Sequence, residues 1–147
     1  MTVKHFVESS NVNDTEPEYV LTKTYAAKAS IPTISNVMDV GDPSNFMRMR
    51  HIFNNNFKEM EKNLSSYAFN DEQTKETLLK IHKINGYIAD PHGAVGYLGL
   101  KKYQEQHLNT YGIFLETAHP VKFLDIVEET LSTTLEIPPQ IQKVMNK

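Results

Sequence analysis

Residues 86–95 (GYIADPHGAV) and residues 113–123 (IFLETAHPVKF) repeat one design. Each is an apolar run, then polar residues, then a proline that opens an apolar periodic segment, with a histidine beside the proline. The pattern reads as strand, short turn and helix N-terminus, written twice. In open α/β sheets ligands sit at this place, outside the carboxyl ends of strands and near the positive ends of helices. The pairing therefore points to a cofactor or anion site.

Outward from these two units the chain keeps alternating. Residues 3–7 form a plausible strand, followed by turn formers over 9–15 (SSNVNDT), and residues 16–24 suit a helix begun by Pro17. The stretch 25–37 is irregular. Asp42–Pro43 has the form of a helix start, Asp as cap and Pro at the first helical position. Phe46, Met49, Ile52 and Phe53 keep helical spacing, as do Phe57, Met60 and Leu64. Residues 67–69 suit a short strand. Asn70 with Gln73 resembles a capping box ahead of Thr74, Leu78, Ile81 and Ile84 on one helix face, and Gly86 ends that helix. A strand at 87–89, a helix at 91–103, a strand at 111–115 and a helix at 120–133 complete the series, with a short frayed helix after Pro138–Pro139. Such alternation predicts an α/β fold, an open and mostly parallel sheet with flanking helices.

Composition narrows the classes. The chain has 147 residues, about one domain, with 39% hydrophobic and 22% charged residues, so it should fold. Net charge is −3 and there is no basic block, which gives a nucleic-acid role no support. The absence of cysteine excludes disulfides and thiolate metal sites. No apolar or glycine run, that over 94–100 included, is long enough to span a bilayer, and the opening MTVKHFVESS has no secretory signal. The expectation is a soluble cytoplasmic protein that binds a small molecule and neither nucleic acid nor membrane.

Several side chains are candidates for that binding. Thr117 lies where the 111–115 strand should end; its hydroxyl suits a ligand held above the sheet edge, and equally suits capping the next helix. Spacing alone favours the cap. His92 and His119 flank the two prolines, placed to bind a phosphate or carboxylate or to move a proton, or simply to cap and pack. No histidine spacing suggests a metal site. Gly93, Gly96 and Gly99 recur every three residues in one helix, each at a cost of about 1 kcal/mol against alanine, which close packing would offset. Asn11, Asn13 and Asp14 follow the first strand and read either as a grip on a polar ligand or as an Asx-rich turn. Asp39, Asn45 and Arg48 surround the expected helix start at Asp42. Arg48 is one of only two arginines, the side chains built for bidentate anion contact. No P-loop, GxGxxG, Ser/His/Asp order or paired-carboxylate spacing is present, so the residues alone lead to an α/β ligand-binding domain without an identifiable nucleophile.

Read in order, SSNVNDT (9–15), SNVMDVGDPSNFMR (35–48), GYIADPHGAVGYLGLKKY (86–103) and YGIFLETAHPVKF (111–123) resemble the C-terminal part of the threonine synthases of bacteria and fungi. The resemblance spans nearly all of residues 4–139. It implies a pyridoxal 5'-phosphate enzyme of the tryptophan-synthase β-like fold, fold type II, which converts O-phospho-L-homoserine and water into L-threonine and phosphate, a lyase of threonine biosynthesis. In that family a lysine forms the Schiff base with the cofactor, a glycine- and asparagine-rich loop cradles its phosphate, and a C-terminal hydroxyl residue faces the pyridine nitrogen. The last role falls on Thr117, against the cap that spacing favoured. A neutral hydroxyl there would limit protonation of the ring and tune its electron-sink strength.

The same resemblance implies that the Schiff-base lysine and the phosphate loop lie upstream of the matched region, so no lysine here is assigned the catalytic role. Residues 1–147 are then expected to be a single C-terminal portion with a tail at 136–147. It would carry one wall of the site and be inactive alone, with the remaining N-terminal portion as its partner. Arg48 leads as the anion contact for substrate, and Asn13, Asp14, Asn45, His92 and His119 lie in matching motifs as further substrate contacts. His119 also suits holding the turn that aims Thr117. A portion of this kind is expected to expose apolar surface and to self-associate. The competing expectations are another fold type II eliminating or β-replacing enzyme, or a non-catalytic ligand- or partner-binding domain derived from one.

Overall fold

Two parallel strands, β1 (Phe6–Ser10) and β2 (Leu64–Ala68), organise the computed structural model, which describes residues 3–145. They pair in register from Phe6 with Leu64 to Ser10 with Ala68. Alternate residues of a strand face opposite ways. Val7 and Ser9 face helix α5 (Pro91–Gln106), where Gly99 lets the helix come close: a Cβ there would overlap the Ser9 hydroxyl, with Ser9 Cβ at 3.0 Å and Val7 Cγ1 at 3.3 Å. Glu8 faces the other way, towards α1 (Thr15–Thr22), and takes a hydrogen bond from the Ser66 hydroxyl. Its burial there, with Glu16 of α1 adding repulsion, raises its pKa to about 7.

Helix α4 (Asp71–Asn85) begins as its sequence predicts. Asn70 Oδ1 accepts from the Gln73 amide at 2.9 Å, and Gln73 Oε1 accepts from the Asn70 amide at 2.9 Å. Thr74, Leu78 and Ile81 are buried, while Ile84, one turn further on, is exposed. Gly86 closes the helix at φ 63°, a conformation that glycine adopts without a Cβ penalty. The core lies between α4 and α5, where Leu78, Ile81, Ala89 and Ala94 meet Tyr97 and Leu131 of α6 (Leu124–Leu131). Close packing at the glycine stripe holds for Gly99 against β1 and for Gly93 against Glu116; Gly96 has only ordinary contacts, near 3.9 Å.

Several boundaries differ from expectation. Helix α2 is Phe46–Ile52 with Asn45 at its cap, not a helix from Asp42. Pro43 instead opens a turn closed by the Phe46 amide on its carbonyl at 3.1 Å, and Asp42 accepts from the Tyr25 hydroxyl at 2.6 Å. Helix α3 (Phe57–Asn63) follows and runs into β2. The segments 87–89 and 111–115 are not strands among the described residues. A strand needs a hydrogen-bonded neighbour, and 111–115 has its Tyr111, Ile113 and Leu115 side chains exposed with no strand alongside. The expected helix over 120–133 divides into a 3-10 turn (Pro120–Phe123) and α6. Helix α7 (Pro139–Met145) occupies the expected tail, whose residues 146–147 lie outside the described part. The chain is thus α/β with a small parallel sheet. No described helix is long and apolar enough to cross a membrane.

Candidate functional site

The two repeated units meet in space, at the N-terminus of α5. Asp90 precedes Pro91 and caps the helix: its Oδ1 accepts from the His92 amide at 2.8 Å and takes a second bond from His92 Nδ1 at 2.7 Å. Because the carboxylate oxygen accepts, Nδ1 carries the hydrogen and Nε2 is left buried and unpartnered. The His92 ring also packs on Phe123, centroids 4.8 Å apart. Glu116, from the second unit, reaches over Gly93 and accepts from the Asp90 amide with Oε1 at 2.9 Å. Asp90 is fully buried.

The electrostatics of this cluster follow from that burial. Burial and a hydrogen bond to the Asp90 carboxyl raise Glu116 to about 7. Burial also pushes Asp90 up, but the bonds from His92 and Glu116 outweigh it and hold Asp90 below its usual range. One buried carboxyl stays ionised and the other is biased towards its acid form.

Thr117 follows Glu116 directly. It is exposed and makes no hydrogen bond to another described residue. The capping role that spacing assigned to it belongs to His119, whose Nδ1 accepts from the Val121 amide at 3.2 Å and starts the 3-10 turn. Thr117 is therefore held between two anchored residues with its hydroxyl free to meet something outside the chain. A groove of about 380 Å³ beside it is lined by Tyr87, Ile88, Ala118, His119 and Leu135.

The other candidates fall into two further groups. Asn13 is buried and committed: its Nδ2 donates to Asn11 Oδ1 at 2.8 Å and to the Ile31 carbonyl at 2.9 Å, and its Oδ1 accepts from the Ile31 amide at 2.7 Å. Asn11, Thr33 and Asp39 complete this network, with Asp39 Oδ1 accepting from Asn11 at 3.0 Å and Thr33 at 2.6 Å. Asp14 lies beside it in an ion pair with Lys28 at 2.6 Å. A cleft of about 400 Å³ brings the network's Thr33 and Ile34 opposite Val121–Ile126. Asn45 and Arg48 form the second group, both exposed at the start of α2, and Arg48 has no ion pair among the described residues.

The structure thus joins His92, Thr117 and His119 in one place and adds Asp90 and Glu116, which were not among the sequence candidates. Two signals pointed to them. Asp before Pro is the cap signature placed at 42–43, and it holds at 90–91. Gly93, read as a site of close packing, marked the space that Glu116 fills.

Comparison with known proteins points to one family. Residues 93–147 match the family model described as threonine synthase, C-terminal. The chain is 37% identical over 141 residues to the threonine synthase of Escherichia coli, covering 96% of this chain and 32% of that protein. The crystal structure of the Escherichia coli enzyme superposes with a TM-score of 0.87 at 36% identity, over 95% of this chain and 32% of that one. A structure of threonine synthase from Brucella melitensis, described as PLP bound, shares the fold at a TM-score of 0.84 and 20% identity, over 98% of this chain and 36% of that one. The chain spans about a third of the length of the curated relatives it matches.

Proposed function

This chain is a relative of the threonine synthases and corresponds to their C-terminal region, and from that premise we propose that it forms one wall of a pyridoxal-phosphate site. The reaction is conversion of O-phospho-L-homoserine and water to L-threonine and phosphate in a cytoplasmic biosynthetic enzyme. Residues 1–147 act as a single C-terminal portion of that enzyme, with 136–147 as a tail. The reading is carried by Thr117, an exposed hydroxyl without a partner among the described residues, on a segment pinned on one side by Glu116 and on the other by His119.

The residues present fit the cofactor. Thr117 offers a neutral hydroxyl, which donates to a basic ring nitrogen without delivering a full charge. When bound, pyridoxal phosphate supplies an electron sink for the carbon next to the amino group. Arg48, unpaired among the described residues, receives a substrate anion, and Asn45 at the same helix start offers it an amide. His119 fixes the turn behind Thr117, and His92 holds Asp90 at the helix cap. Asn13 and Asp14 act indirectly, by fixing the loop after β1. No lysine in the chain is assigned the Schiff base, so the activity requires the N-terminal portion as partner.

The test is Thr117→Ala and Thr117→Asp in the full-length enzyme that carries this region. Both variants should alter the cofactor's absorption spectrum and lower turnover. Unchanged spectra and kinetics in both would remove Thr117 from the site.

A further inference from the structure

Two oxygens in the α5 cap cluster are buried and lack any N–H or hydroxyl partner: Asp90 Oδ2 and Glu116 Oε2. Their carboxyl groups lie within hydrogen-bond reach of each other. Two ionised carboxylates in such contact repel, and neither could satisfy the other. A single proton between them satisfies both oxygens. Among the described residues no lysine or arginine competes for that place. The titratable groups facing Glu116 are Asp90 and His92 of the α5 cap and Tyr87 of the segment before it, and His92 Nδ1 is already committed to Asp90 Oδ1. No described Lys or Arg pairs with either carboxyl group.

We infer that Glu116 is a positioning residue, a protonated carboxyl that clamps the segment carrying Thr117 onto the N-terminus of α5 through Asp90. This rests on the reading of Thr117 given above. The clamp has two bonds of opposite sense, the Asp90 amide donating to Glu116 Oε1 and the Glu116 hydroxyl donating to the Asp90 carboxylate. Gly93 is part of it, because any side chain there would occupy the space of the Glu116 carboxyl. The clamp matters because residues 110–119 contain no helix or strand to hold them. Without Glu116 the residue directly before Thr117 loses its bond to the α5 cap.

The test has two arms. In this chain, carboxyl carbon NMR should show Glu116 titrating well above an ordinary glutamate. Exchange of the Asp90 amide should accelerate roughly tenfold or more in Glu116→Ala, the loss of one bond to a carboxyl. Glu116→Gln, which keeps both bonds with an amide in place of the acid, should retain slow exchange. An ordinary Glu116 titration, or equal exchange in the Ala variant, overturns the clamp whatever the cofactor does. In the full-length enzyme, Glu116→Ala should shift the cofactor spectrum in the direction of Thr117→Ala, with Glu116→Gln restoring it. A spectrum moved by Thr117→Ala but not by Glu116→Ala overturns the positioning role and leaves the reading of Thr117 standing. If neither moves it, that reading fails, and the positioning role fails with it.

Discussion

Alanine at Gly93, Gly96 and Gly99 gives three different outcomes from one chemical change. All three lie on one helix, so the intrinsic gain of alanine over glycine, roughly 0.5–1 kcal/mol in a helix interior, favours every variant. At Gly96 the nearest heavy atoms, Leu115 O and Phe114 Cβ, are 3.9 Å from the new methyl, so the gain stands and the variant is stabilised by up to about 1 kcal/mol. At Gly99 the methyl overlaps the Ser9 hydroxyl and lies 3.0 Å from Ser9 Cβ and 3.3 Å from Val7 Cγ1. Strand backbone backs those atoms, and overpacking of about 1–3 kcal/mol less the alanine gain leaves a net loss of up to about 2.5 kcal/mol. At Gly93 the methyl enters the Glu116 carboxyl, whose Oε1 would lie 2.6 Å away and must leave the Asp90 amide. The carboxyl is the far end of a flexible side chain and swings away at little steric cost, so the loss is that of the bond to the buried Asp90 amide, about 1–3 kcal/mol. Urea and thermal unfolding of the three variants measure this directly, with roughly 2–4 °C per kcal/mol at this chain length. A uniform shift of all three in one direction would refute the packing argument.

Three further outcomes follow from the same structure. Glu8→Gln should stabilise the chain at pH 8 and flatten its pH dependence. The folded state holds the Glu8 proton up to about pH 7 whereas the unfolded chain releases it near 4.5, so stability declines as pH rises through that window. The gain is at most about 3 kcal/mol, and Glu116, shifted in the same direction, leaves a residual slope in the same window; denaturant midpoints from pH 4 to 8 check both. Asp39→Ala should cost about 1–2 kcal/mol by leaving the half-buried Thr33 amide without its acceptor, while the Asn11 amide keeps the Thr33 and Ser35 hydroxyls, read as a lowered urea midpoint. Replacing Tyr111, Ile113 and Leu115 together by threonine should reduce self-association and hydrophobic-dye binding with little change in unfolding midpoint, because all three side chains are exposed; sedimentation over a concentration series tests it.

The helices were the legible part of this fold. Their signals are local: the Asn70–Gln73 box, the Gly86 stop and the Pro91 start are each contained within one turn of chain, and each formed as its residues dictate. The strands were less legible because pairing is long-range. The Leu64–Ala68 strand is fixed by a partner 58 positions earlier, and the equally apolar 111–115 has no such partner alongside it. Asp42–Pro43 and Asp90–Pro91 carry the same dipeptide, yet only the second caps a helix; the Tyr25 hydroxyl takes the first aspartate. In the candidate site the two repeated units do meet, though not at the carboxyl ends of strands as their design suggested, since neither 87–89 nor 111–115 is a strand. The clamp between them was not legible, since Asp90 and Glu116 are 26 positions apart and no spacing rule joins them. Thr117 stands as a candidate on its motif, whereas the commitment of Asn13 to an internal network is visible only once Ile31 and Asp39 surround it.

The most direct test of the account is phosphate release from O-phospho-L-homoserine in the presence of pyridoxal phosphate, with this chain alone and with the full-length enzyme that carries it. Phosphate release by the full-length enzyme only, reduced by Thr117→Asp, is the predicted result. Release by this chain alone would mean that one of its own lysines forms the Schiff base, contradicting the division of the site; no release by either, with cofactor bound, would contradict the reaction itself.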